Sequence, residues 1–219
     1  MRYPNAAKGI KKIFLAEILS IIAAALCVGV LVLLAVSHVN LNESGDVLRD
    51  KLKASGMSTP FLIYSLGTLV LFLFSYILNM AGITQAAHDE ESFRRALWAA
   101  VAGLLVILAG SFLNQNNPQI SKWIEILNTV CTMVMTLLVL SGIGKIADSL
   151  GKTAVSELSR NTSRIVLYPF LMSVAGELLI AVLSLNETAA ALCQAAVYLM
   201  DIVAYVCYLR VLMKARTMQ

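Results

Sequence analysis

Charge is what this sequence has least of. Only 14% of its 219 residues are Asp, Glu, Lys or Arg, against about 25% in an ordinary soluble domain. A chain so poor in charge does not cover a water-facing surface of normal size. Its 59% of hydrophobic residues and mean hydropathy of +0.80 point to hydrocarbon instead. The net charge of +4 is too small to direct the chain to nucleic acid. Histidine is almost missing, with only His38 and His88. The four cysteines, Cys27, Cys131, Cys193 and Cys207, fall singly inside apolar segments without C-x-x-C spacing, so no zinc or dithiol motif is present. No Gly-Lys-Ser/Thr follows a glycine-rich turn, which excludes a phosphate loop of the chain's own. Nucleophilic catalysis needs a nucleophile beside a base, and no such pattern is legible. The expectation is a protein that is not an enzyme and carries no cofactor and no metal. Linkers and low-complexity stretches are absent as well, which predicts a single domain over 1–219.

Long apolar runs are what the sequence does have. They recur six times, near 13–36, 60–81, 96–113, 122–144, 165–185 and 189–210. At 1.5 Å per helical residue each is long enough for a hydrocarbon core of about 30 Å. Backbone groups in lipid must be satisfied within the segment, so the runs are predicted as helices. The first run follows Lys8, Lys11 and Lys12 but is too long for the apolar part of a signal peptide, so it reads as a retained helix. The predicted fold is therefore an all-α integral membrane protein with six transmembrane helices in three hairpins.

Orientation follows from the cations. Arg2, Lys8, Lys11, Lys12, Arg94, Arg95, Lys145, Lys152, Arg160, Arg164, Arg210, Lys214 and Arg216 fall on one side of the predicted topology, and Arg49, Lys51, Lys53 and Lys122 on the other. The positive-inside rule then places both termini in the cytoplasm, in a plasma membrane. The segment "NMAGITQAAHDEESFRRAL", 79–97, resembles loops in bacterial multi-pass membrane proteins of no assigned function; the resemblance implies a bacterial host and no activity. Its His88-Asp89-Glu90-Glu91 stretch reads as a solvated charge run, because adjacent residues rarely converge on one metal ion. Between runs four and five, Ile146, Leu150, Ala154 and Leu158 are spaced four apart. They suit either a short helix lying on the membrane surface or a solvated connector. A Gly-Ile pair at 9–10, 82–83 and 142–143 marks a candidate threefold repeat of the hairpins.

Polar residues inside the runs form stripes. In the sixth run Gln194, Tyr198, Asp201, Tyr205 and Tyr208 share one face at steps of 4, 3, 4 and 3. Ser173, Glu177 and Ser184 do so in the fifth, Glu125, Asn128 and Thr132 in the fourth, and Ser75, Asn79 and Gly82 in the second. The third run has a small face instead, Ala96, Ala100, Gly103 and Gly110, which lets a neighbour approach closely. Polar atoms facing lipid are costly, so the stripes are expected to face one another. Asp201 and Glu177 lie about 14–18 Å from the inner edge, near the midplane of the hydrocarbon. An Asp there costs about 2.5–3.5 kcal/mol on insertion scales, and no Lys or Arg lies inside a run, away from its end residues, to pair with it.

Two functions fit. The first is transport-related: a central polar seam binds a small polar or cationic solute, or protons. Its site is Glu177, Asp201, Gln194, Tyr198, Tyr205, Ser173, Glu125, Asn128 and Asn79. The second is a non-catalytic membrane subunit or scaffold of a larger complex, including a substrate-binding subunit of an ATP-driven importer. The expected partners are the lipid bilayer, a small-molecule or cation substrate, and partner membrane subunits or further copies of the chain, with no nucleic acid.

Overall fold

The computed structural model describes residues 3–37, 45–113, 118–183 and 187–218; at 45–46, 48–49, 113, 118–122, 173–183 and 187–194 the description covers the backbone alone. The chain is all-helical, with no strand among the described residues. The helices are α1 (Pro4–Val36), α2 (Gly45–Ala54), α3 (Ser58–Ala86), α4 (Glu91–Leu113), α5 (Pro118–Ser149), α6 (Thr153–Leu183) and α7 (Glu187–Ala215). Among the described residues five helices are long and apolar enough to cross a bilayer, over Pro4–Val36, Ser58–Ala86, Glu91–Phe112, Trp123–Ser149 and Ala195–Ala215. The run expected at 165–185 lies in α6, and its part from 173 onward lies outside the described side chains. Along the spans the large apolar side chains point outward, as Leu62, Leu69 and Leu73 of α3 and Leu105 of α4 do. Hydrocarbon is a satisfactory solvent for them, so the spans need little internal core.

Every apolar run is exceeded by its helix at one end. α1 begins nine residues before its run, α6 twelve before, and α3, α5 and α7 each continue five residues past theirs. Pro4 opens α1, where its missing N–H costs nothing. These extensions hold together because they bury a core of their own. The chain forms two compact units, Met1–Phe14 with Met80–Gln219, and Leu15–Asn79. The first unit carries the core, at the end where the chain termini lie. Ile10, Ile13, Ile83, Phe93, Leu140, Ile143, Val211 and Leu212 are essentially inaccessible there, with Tyr3 and Met218 packed at its edges.

Small residues make this core possible. A Cβ on Gly9 would stand 2.5 Å from the Gly82 carbonyl oxygen, and one on Gly82 would stand 2.8 Å from the Gly9 carbonyl oxygen. Backbone therefore meets backbone where α1 and α3 cross. A Cβ on Gly142 of α5 would lie 2.6 Å from the Phe93 ring of α4. The three Gly-Ile pairs thus share one core, but two of the glycines face each other while the third faces an aromatic ring. The small face of α4 behaves as its composition predicts: Ala96, Ala100, Gly103 and Gly110 are all buried. Gly103 lies against Cys131 and Asn128 of α5, and Gly110 against Ile124. The residue numbers fall on one helix as they rise on the other, so α4 and α5 run antiparallel. α5 packs on α6, where Ser159 Oγ donates to the Leu140 carbonyl at 2.6 Å, and α6 packs on α7.

The connector expected between runs four and five is neither a flat surface helix nor a loose solvated strand. α5 continues through Ile146 and Ala147 into the core, and α6 begins at Thr153. Gly151 closes the turn at φ +69°, and the Lys152 N–H donates to the Ala147 carbonyl at 2.8 Å. This is the six-to-one bond of a Schellman motif, for which glycine is the residue without a Cβ penalty. Val155 and Leu158 pack against the core, not on lipid. Of the four spaced residues Ile146 and Leu158 meet the core, whereas Leu150 and Ala154 are exposed.

In the second unit α1 and α3 also run antiparallel. Gly29 lies beside Tyr64, Gly67 beside Leu26, and Ser75 Oγ donates to the Ala16 carbonyl at 2.7 Å. Helix α2, not foreseen between the first two runs, ends with the same motif as α5: Gly56 has φ +69° and the Met57 N–H donates to the Leu52 carbonyl at 2.9 Å.

Replacing Gly82 by Val is expected to destabilise the first unit by about 1–3 kcal/mol or more, since the added carbons meet backbone that cannot rotate away. The check is thermal unfolding of the purified chain in detergent. Gly67→Ala, whose Cβ would find its nearest neighbour 3.8 Å away on the flexible end of Leu26, should melt within a degree or two of wild type.

Candidate functional site

The sixth-run stripe now has an environment. On α7 Tyr208 is buried in the core, Tyr205 is half-buried against it, and Asp201 and Tyr198 are exposed. One face therefore passes from interior to surface along its length. The cause is the placement of the core, whose last contact along α7 is Tyr205, about one turn short of Asp201. Around Asp201 the exposed neighbours are apolar, namely Leu199, Ile202 and Val203. A carboxyl group thus stands on an outward-facing hydrocarbon surface of α7.

Among the described side chains, two other expected site residues stand on α5 and one on α3. Glu125 is exposed on α5. Asn128 is half-buried, with its amide oxygen 3.5 Å from where a Gly103 Cβ would stand, so it fills the gap beside α4. Thr129, Thr132 and Thr136 donate to the carbonyls four residues earlier on their own helix, at 2.9, 3.0 and 3.0 Å. Such back-bonding satisfies a hydroxyl in lipid without any partner helix, so this stripe carries no demand for a facing one. Asn79 belongs to the second unit and is half-buried; its side-chain oxygen is enclosed and has no hydrogen-bond partner among the described residues. Glu177, Ser173 and Gln194 lie outside the described side chains, and with them the pairing of Glu177 and Asp201.

A different polar cluster is well defined among the described residues. Helix α1 has no acidic residue in its first turn, yet the helix dipole favours one there. Asp89, in the turn between α3 and α4, supplies it from 84 residues away. Its Oδ2 accepts from the Asn5 N–H at 2.7 Å and the Ala6 N–H at 2.8 Å, and its Oδ1 accepts from Asn5 Nδ2 at 2.9 Å. Partial burial works to raise the Asp89 pKa, but the donors from Ala6 and Asn5, together with the nearby His88, hold it below the usual carboxylate range. Glu90 takes Lys145 of α5 at 3.3 Å and Ser92 Oγ at 3.1 Å, and Lys145 also donates to Ser92 Oγ at 2.9 Å. Glu91 pairs with Arg95 at 3.0 Å, and Asp148 with Arg160 at 2.8 Å. His88 Nδ1 lies 3.0 Å from the Thr84 carbonyl, a donor when protonated at that nitrogen. The stretch read as a solvated charge run is thus a clasp joining α1, α4 and α5. The signal that would have found it is the uncapped first turn of α1 opposite a turn rich in carboxylates. Among the described residues no three His, Cys, Asp or Glu side chains are placed to hold a metal ion.

No family model, curated protein or solved structure matches the chain.

Asp89→Ala is expected to cost about 1–2 kcal/mol, the range for losing a helix N-cap. Because the folded-state pKa is lowered, the carboxylate's contribution is full above about pH 4, where the free side chain titrates. It is lost as pH falls through the lower folded value. Melting curves of wild type and Asp89→Ala should differ at pH 7 and converge toward pH 3.

Proposed function

We propose that the chain is a six-span bacterial plasma-membrane protein, three hairpins with both termini in the cytoplasm, that works as a non-catalytic subunit of a larger membrane assembly. The single observation behind this reading is Asp201, which stands on an exposed apolar face of α7. A carboxyl facing lipid near the midplane costs about 2.5–3.5 kcal/mol when inserted, and a polar group on another membrane segment relieves that cost. Tyr198 lies one turn away on the same face and adds an aromatic anchor of the kind enriched at interfaces. In this reading Asp201 and Tyr198 form the contact, and α4 and α5 serve the fold.

Transport of a proton, a cation or a small polar solute is the second reading. The observation favouring it is the enclosed, unpaired side-chain oxygen of Asn79, an acceptor open to a donor that a solute would bring. Within the first unit, Glu177, Gln194 and Ser173 with Asp201 and Tyr205 would supply the polar seam of this reading.

A photo-crosslinking residue at Leu199 or Ile202 separates the readings. The subunit reading expects a protein adduct in native membranes that Asp201→Asn abolishes, while the same probe at Leu105 of α4 labels lipid. Lipid adducts alone at 199 and 202 would sink it. Asp201→Asn with an intact adduct but lost solute or proton flux would favour transport.

A further inference from the structure

We propose that the termini end of the first unit binds the headgroups of anionic lipids, at a site made by Lys8 and Lys11 of α1 and Arg216 after α7. On α1, Lys8, Lys11 and Phe14 follow one another at i, i+3 spacing, which makes successive pairs neighbours on the helix surface. The Arg216 guanidinium lies over the Phe14 ring, 4.6 Å from its centroid. Two parts of the chain far apart in sequence therefore bring their cations to one place. The ring orients the guanidinium and leaves its charge in full.

Nothing protein-borne neutralises that charge among the described residues. Four carboxylates of the first unit are engaged elsewhere: Asp89 with the first turn of α1, Glu90 with Lys145, Glu91 with Arg95, and Asp148 with Arg160. Lys8 and Lys11 are exposed, as is Arg216, and neighbouring like charges destabilise each other until an anion joins them.

Depth identifies the anion. Phe14 stands at the start of the apolar run over 13–36. Lys11 then lies about 5 Å and Lys8 about 9 Å outward along the helix, which is the level of the lipid phosphates. Long basic side chains reach that level while their stems remain on apolar surface. The polar headgroups of a bilayer supply phosphate at this height at high local concentration, and an anionic lipid adds the net charge that a zwitterionic one lacks.

Native mass spectrometry of the full chain, purified in neutral detergent and offered equal phosphatidylglycerol and phosphatidylcholine, tests the site. Wild type should retain phosphatidylglycerol in preference. Each cation removed should weaken that preference about fivefold. The Lys8→Gln/Lys11→Gln double variant, which leaves the Arg216–Phe14 stack in place, should lose about 25-fold, and adding Arg216→Gln should lose more. Lys53→Gln, exposed in the second unit, should change nothing. Equal retention of the two lipids by wild type, or an unchanged preference in the double variant, overturns the proposal. Full displacement by inorganic phosphate at millimolar concentration also overturns it, because the site would then take a free anion and not a membrane headgroup.

Discussion

The crossing of α1 over α3 leaves no room for a side chain, and the core at the termini end depends on it. Gly9 and Gly82 present carbonyl oxygens to each other's Cα at distances where a methyl group would not fit. That contact seats Ile10, Ile13 and Ile83 in one layer, with Ile143 and Leu212 joining from α5 and α7. Within the hydrocarbon, apolar side chains gain little by leaving lipid for protein. Beyond it, water returns and the hydrophobic effect drives burial again. The long helices are therefore built in two styles: outward-facing and loosely packed along their spans, and tightly packed where they emerge.

Charge is used sparingly, and the ion pairs of Glu90, Glu91 and Asp148 lie in the first unit. Asp89 satisfies backbone donors of α1, Glu90 ties α4 to α5, and Asp148 ties the end of α5 to Arg160 of α6. Each bond closes a junction that the core alone leaves open to water. With these carboxylates committed in this way, Lys8, Lys11 and Arg216 face outward with no carboxylate paired to them among the described residues. A structural division of labour among charges thus leaves a surface suited to the membrane's own anions.

Asp201 belongs to neither arrangement. It lies past the reach of the core and far from the clasp, on a stripe whose other end, at Tyr208, is interior. The spacing of the stripe was plain in the sequence. Its mixture of buried and exposed positions was not, because helical periodicity says which residues share a face and says nothing about where the neighbouring helix stops.

What the sequence by itself determined is the solvent and the small-residue contacts. Scarce charge and long apolar runs require helices in lipid, and Ala96, Ala100, Gly103 and Gly110 spell out a close approach that α5 occupies. Composition carries these because both are local: a run's length sets its environment, and an absent side chain leaves a gap at a known place. What only the tertiary structure decided is non-local. The Asp89 cap joins residues 84 positions apart. Gly9 and Gly82 meet only because two helices cross, and Ile146 and Leu158 share a core only because Gly151 turns the chain between them. Asp201 faces outward because packing ends before it. Each depends on which segments become neighbours, and no pattern within one helix contains that information.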